Sequence, residues 1–124
     1  MTKEEELLLK DLCGRLPYGV KFPMMCWDEE TGETIKPVTL YSINKDGYCH
    51  VSEDDYSPYI DEVKPYLFPK SSMTVEQRDS HRFLASSAYA SPKGLIDFYH
   101  KNHIDYRGLI PMGLAEDATD KNIY

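Results

Sequence analysis

The stretch that most constrains this chain runs from Gly94 to Ala115, GLIDFYHKNHIDYRGLIPMGLA. It has few charges and a high density of large apolar side chains. It reads as a short helix, a turn, and a compact apolar tail carrying Leu109, Ile110 and Leu114. A segment of this kind has to be covered, so the rest of the chain must supply a surface for it. That surface is legible upstream as a change of period. In Tyr18 to Trp27, Val20, Phe22 and Met24 alternate with Lys21, Pro23 and Met25, which is the repeat of a strand. Pro23 has no N–H to give to a ladder, so this strand belongs at an edge or carries a bulge.

Two more strands follow closely. Asp28 to Glu33 is acidic and contains a glycine, as an exposed turn would. Thr34 to Ile43 is the second strand, with Val38 and Leu40 on one face and Thr39, Tyr41 and Ile43 on the other. Lys45-Asp46-Gly47 is a tight-turn signal. Tyr48 to Val51 is a short third strand. Short links between consecutive strands give an antiparallel meander. A three-stranded sheet needs cover on one face, and helices are the available material.

The helices carry their own end signals. Thr2 and Glu5 have capping-box spacing, and Glu4, Glu5 and Glu6 suit the positive end of the helix dipole. Leu8 and Leu12 share a face, Gly14 stands where a glycine would stop the helix, and Pro17 blocks continuation. Thr74 and Gln77 repeat the capping spacing before a second helix with Phe83 and Leu84 on its apolar side. Ser91-Pro92 opens a third, with a stripe of Leu95, Phe98, Tyr99 and Asn102. Between sheet and helices, Ser52 to Pro69 is irregular, with Leu67 and Phe68 as anchors. Asp117 to Tyr124 reads as a frayed terminus.

The result is one α+β domain over residues 1–124: an N-terminal helix, a three-stranded antiparallel β-meander and two C-terminal helices. Its expected core is Leu8, Leu12, Val20, Phe22, Val38, Leu40, Val51, Leu67, Phe83, Leu84, Leu95, Phe98, Leu109, Ile110 and Leu114. No apolar run reaches the ~20 residues of a membrane span, and MTKEEELLLKDL lacks the apolar core of a signal peptide. A cytosolic location follows as the expectation. Cys13, Cys26 and Cys49 are odd in number and form no CxxC, so they read as free thiols; Cys26 and Cys49 could face each other on neighbouring strands, but a reducing compartment disfavours a disulfide there.

The net charge of -7 is uneven: residues 1–62 hold 14 acids against 6 bases, and residues 63–124 hold 7 against 8. The acidic first half repels nucleic acid. In the second half Arg78, Arg82, Lys93, Lys101 and Arg107 are the groups that a nucleic-acid accessory protein would use.

Catalytic and ligand motifs fall short of what their chemistry requires. His100 and His103, three apart on a helix with Asp97 one turn earlier, lack the further ligands that zinc needs, so no metal and no cofactor are assigned. Cys49-His50 are neighbours on a strand, so they point to opposite faces. Cys13 lies near a helix C-terminus, where the dipole opposes a thiolate. Gly108 to Gly113 has P-loop glycine spacing without the Lys-Ser/Thr that follows. Glu53-Asp54-Asp55 lacks the spaced ligands of a calcium loop. What remains for an enzyme of undefined class is a polar group of Asp97, His100, His103, Asp105 and Arg107. The stronger signal is the tyrosines, ten in all. Tyr56, Tyr59 and Tyr66 lie in the Pro-rich connector, and tyrosine is enriched at interfaces. They are the candidate contacts of a protein-interaction module.

KPYLFPKSSMT (Lys64 to Thr74), NHIDYRGLIPMGLAEDA (Asn102 to Ala118) and the opening MTKEEELLLKDLCGRLPYGVK resemble short uncharacterised proteins encoded by gut bacteria of the Bacteroides group, their phages and mobile elements. The likeness covers most of the chain and departs from it in the tail and at Phe68. It brings no known activity and no catalytic residue. It implies a small cytosolic accessory or regulatory binder, possessing a protein partner, rather than a metabolic enzyme.

Overall fold

The computed structural model describes residues 1–51, 56–86 and 92–124. Helix α1 spans Lys3–Arg15. Thr2 caps it, its hydroxyl accepting from the Glu5 N–H at 3.1 Å. Three strands follow: β1 (Lys21–Asp28), β2 (Gly32–Ile43) and β3 (Cys49–Val51), in the antiparallel order β1-β2-β3. Besides the 3-10 turn at Leu16–Tyr18 after α1, the chain forms one at Ile60–Glu62, β4 (Tyr66–Pro69), a third at Lys70–Ser72, α2 (Val75–Ser86), α3 (Pro92–Lys101), β5 (Ile104–Asp105) and β6 (Glu116–Asp117). This is the α+β arrangement of an N-terminal helix, a meander and two later helices.

The meander is built as alternation dictates, with one deviation. Phe22 faces Val38 and Met24 faces Lys36 in register. The inner side chains Phe22, Met24, Cys26, Val38 and Leu40 pack with Leu8 and Leu12 of α1. Pro23 pairs with Pro37, so both strands of the hairpin carry proline where no ladder N–H is needed. The deviation is a bulge between Leu40 and Ser42. A bulge adds a residue and so reverses which side chains face inward. Ile43, which strict alternation assigns to the outer face, therefore turns back to Cys49 and packs on the core.

A second sheet has no counterpart in the sequence reading. β4 lies between β5 and β6, parallel to both. Its strands hold two to four residues, too few to show a period. Long-range pairing stabilises them instead. Phe68 N–H donates to His103 O and Ala118 N–H to Leu67 O, each at 2.8 Å. The C-terminus is consequently not frayed: Ala118 is buried and the Tyr124 ring stacks on His103 at 3.6 Å between centroids.

The helices depart from the expected core in a consistent way. α2 is capped as its spacing requires, with Thr74 N–H donating to Gln77 Oε1 at 2.9 Å and Gln77 N–H to Thr74 Oγ1 at 3.1 Å. Yet it buries no residue; Phe83 is 69% exposed and Leu84 only half-buried. α3 docks through Tyr99 and His100, leaving Leu95 and Phe98 half-buried. The capping Ser91 lies outside the described residues. Ile110 and Leu114 pack at the margin of the core, while Leu109 is fully enclosed. The core also takes Cys49, Ile60 and Val63. Cys13 is exposed, Cys26 and Cys49 are buried, and all three are free thiols.

Candidate functional site

The polar group around α3 sits where α1 meets the chain from His100 to Arg107. Gly14 does not stop α1, which continues to Arg15. Its glycine serves a close approach instead: a Cβ there would lie 2.3 Å from His100 Cε1. Arg15 is not at a helix end facing water. It is fully buried, as is Asp11 one turn earlier. Arg15 Nε donates to Asp11 Oδ2 at 2.7 Å, and its Nη2 donates to Ile104 O at 2.7 Å. Arg107 Nε donates to Asp11 Oδ1 at 3.1 Å, so one carboxylate serves two guanidinium groups. Tyr106 lies beneath both, with Arg107 4.8 Å and Arg15 5.6 Å from its ring centre.

Three members of the expected polar group, His100, Asp105 and Arg107, are held by internal hydrogen bonds, while the buried His103 Nδ1 has no hydrogen-bond partner. His100 shares a 2.9 Å hydrogen bond between Nε2 and the Tyr106 hydroxyl. Burial and then the Arg15 charge hold its pKa below the ordinary value. His103 adopts φ 56° as the second residue past α3, where the left-handed conformation ends a helix. Burial, followed by Arg15 and Lys21, pushes it down to about 4, so at neutral pH it is an uncharged ring against Tyr124. Asp105 accepts from Leu109 N–H at 2.8 Å and Ile110 N–H at 2.9 Å, which caps the following turn. Asp97 is half-buried on α3. Of the five groups only Asp105 borders the nearby cleft of about 350 Å³ lined by Pro69, Lys70 and Tyr106. A catalytic site needs its groups to converge on one reacting position. Here Asp97 and Arg107 stand close enough to His100 for their charges to act on it, but His100, Asp105 and Arg107 bond to separate partners, and Arg107 joins the C-terminal segment to α1 through Asp11. Among the described residues no group of His, Cys, Asp and Glu is placed to hold a metal ion; the Glu53-Asp54-Asp55 run lies outside them. Burial pushes the Cys49 thiol up to about 11, far from a nucleophilic thiolate.

The connector tyrosines separate. Tyr66 is buried in β4, and burial raises its pKa. Tyr59 is half-buried; its ring meets Tyr48 edge-on at 5.4 Å, packs over Gly47 and reaches the Glu5 carboxylate. Tyr56 is 54% exposed and donates to Glu62 at 2.9 Å.

The large exposed apolar surface lies elsewhere, on the outer face of the β1–β2 hairpin. Met25 is 53% exposed, Ile35 64% and Trp27 74%. Met25 and Ile35 are direct cross-strand partners. Trp27 faces Glu33, which makes Ile35 its diagonal neighbour. The three side chains therefore form one patch, with Pro23 and Pro37 beside it. A hairpin with one face on the core ordinarily turns polar side chains to water. The sequence signal was present in β1, where Met25 and Trp27 occupy alternate positions reserved for polar groups.

Four of the five expected basic positions, Arg78, Arg82, Lys93 and Lys101, lie exposed on α2 and α3, whereas Arg107 is taken up by Asp11. No described helix is long and apolar enough to cross a membrane. No protein-family model, curated protein or solved structure matches the chain.

Proposed function

We propose that this chain is a non-enzymatic protein-interaction or regulatory module, a small cytosolic accessory protein that docks a partner protein through the outer face of its β1–β2 hairpin. The observation that carries the reading is the contiguous exposure of Met25, Trp27 and Ile35. Exposed apolar side chains scattered singly need no explanation, but a contiguous patch backed by a regular sheet is costly in water and marks a contact surface. Tyr56 borders the cleft beside Met25 and extends the patch. Tyr59 and Tyr66, further along the connector, hold that segment against the body of the protein.

The alternatives draw less support. An enzyme built on Asp97, His100, His103, Asp105 and Arg107 would have to free three of them, His100, Asp105 and Arg107, from internal bonds. A nucleic-acid accessory role would rest on the bases of α2 and α3 against a net charge of -7. The test compares the native chain with a Trp27→Ser/Ile35→Ser double variant as bait in extracts of a Bacteroides-group bacterium. The native bait should retain a protein in near-stoichiometric amount, and the variant, equally stable to heat, should lose it. Equal capture by both baits would remove the hairpin face as the docking surface.

A further inference from the structure

The two outer edges of the meander face each other. β3 passes its free side to the connector: Cys49 N–H donates to Pro58 O and Ile60 N–H to Gly47 O, both at 2.8 Å. The connector thus acts as an irregular rung beyond β3. Pro58, Tyr56 and Glu62 of that connector line the same cleft, about 370 Å³, as Phe22, Pro23, Met24 and Met25 of β1. The sheet therefore curls until the β1 edge looks across a seam at the connector.

One end of the seam is bridged and the other is not. Leu40 N–H donates to Val20 O, which turns the even-numbered residues of β1 toward β2. By antiparallel alternation the main-chain groups of Lys21, Pro23, Met25 and Trp27 point to the edge. The Tyr124 hydroxyl accepts from Lys21 N–H at 2.9 Å and donates to Tyr66 O at 2.8 Å, joining the edge to β4. Pro23 has no N–H. Among the described residues no group outside the hairpin bonds the edge-directed N–H or C=O of Met25 or Trp27.

We propose that this open seam takes an extended, basic peptide segment of a partner protein as an added strand alongside β1. The proposal rests on the interaction reading above and supplies its partner chemistry. An added strand satisfies the edge groups in steps of two residues, while its side chains alternate between the cleft and the Met25–Trp27 face. The rim sets the charge. Asp28, Glu29, Glu30 and Glu33 stand at the hairpin tip and Glu62 on the opposite wall, with Lys36 across from Met24 the base nearest the middle of the edge. A second copy of the chain would bring the same acids to the same rim, so a basic partner fits where a copy does not.

The test titrates the full chain with fluorescein-labelled heptapeptides in which lysine or arginine alternates with valine, isoleucine or tyrosine, and with counterparts carrying glutamate in place of the bases. The basic set should bind saturably and shift the amide resonances of Met25 and Trp27; the acidic set should not. Met25→Pro should weaken binding about tenfold, the equivalent of one lost hydrogen bond. Pro23 occupies an edge-directed position two residues earlier, so the β1 backbone already accepts proline there. Met25→Ala, which keeps the N–H, should weaken it less. Methylating alternate amides of the peptide should abolish binding in one phase and spare it in the other. That periodic response separates strand addition from plain charge attraction, and it decides the matter if Met25→Pro fails to fold. Binding indifferent to both backbone changes, no binding by any basic peptide, or self-association through Met25 would each overturn the proposal. The hairpin reading survives such a failure if the Trp27→Ser/Ile35→Ser bait still loses its partner.

Discussion

The junction of α1 with residues 100–107 and the outer face of the hairpin invert the usual partition of side chains. The junction encloses Asp11 and Arg15 completely, while the hairpin holds Trp27 74% exposed. Both departures from the apolar-in, polar-out rule are informative in a way that an exposed leucine is not. The buried charges are paired: the Asp11 carboxylate receives Arg15 and Arg107, and Arg15 also reaches Ile104 O, which leaves only its Nη1 without a hydrogen-bond partner. The exposed apolar groups have no such internal match. The difference separates a joint that holds the two ends of the chain together from a surface waiting for another molecule.

The comparison breaks most readily at Asp11. Asp11→Ala leaves Arg15 buried without its counter-charge and should cost about 3–5 kcal/mol in denaturant unfolding. An Asp11→Leu/Arg15→Met double variant should recover much of that loss, because no lone charge is left inside. If Asp11→Ala proved nearly neutral, the junction would be an incidental ion pair and the contrast with the hairpin would lapse.

The second effect is pH-dependent. His103 is held neutral at about 4 when folded, against ~6.5 when unfolded. Between those values the unfolded chain binds more protons, so stability is fully present above pH ~6.5 and declines as pH falls toward 4. With solvent screening discounted, the loss should be about 2 kcal/mol. His100, lowered for the same first reason, adds in the same direction. Thermal melts of the native chain and of His103→Phe from pH 7.5 to 4 measure the difference, which should shrink in the variant. Parallel curves would show that His103 is solvated and that the terminal Tyr124 stack does not seal it.

A smaller change probes the packing of the same joint. Gly14→Ala gains up to ~1 kcal/mol in helix propensity, but its methyl would meet the His100 ring at 2.3 Å. Overpacking of an enclosed, hydrogen-bonded ring costs about 1–3 kcal/mol. The net should be a destabilisation of about 1 kcal/mol in chemical melts. A stabilised variant would mean that α3 slides freely along α1.

The smallest effect on stability belongs to the hairpin. Trp27→Ser should change the folding free energy by less than about 0.5 kcal/mol, as for other surface positions. Its effect should appear in partner capture alone. A large loss of stability would place Trp27 in the structural inventory with Leu12 and Phe22, and the contrast between the two regions would disappear.

Local chemistry sufficed for the elements whose signals repeat or cap within a few residues. The Thr2 cap, the Thr74–Gln77 box, the three strands and the edge position of Pro23 were all legible, because a hydroxyl, a two-residue period and a missing N–H act where they stand. The apolar stretch from Gly94 to Ala115 needs cover by its composition, and Leu109 is enclosed. Which of the α3 side chains went inside was legible only in part: Tyr99 belonged to the expected stripe, whereas Leu95 and Phe98 are half-buried and His100 is buried instead. Tyr99 and His100 took the buried face because α1 offers Gly14 as a gap and Asp11–Arg15 as a polar lining. Phe83, apolar by composition, stayed in water because α2 finds no groove to fill.

What tertiary structure alone decided are the contacts between residues far apart in the chain. The parallel strands β4, β5 and β6 are too short to announce themselves and exist only because distant segments meet. Arg15 joins Ile104, and Tyr124 joins Lys21 to Tyr66, across most of the chain. A side chain's burial is set by the shape and polarity of whatever lies against it, and no local pattern encodes an element a hundred residues away. The same reason governs the candidate surface. Alternation assigns Met25 and Trp27 to the outer face of a strand, but only the assembled sheet reveals that nothing in the described chain comes back to cover them.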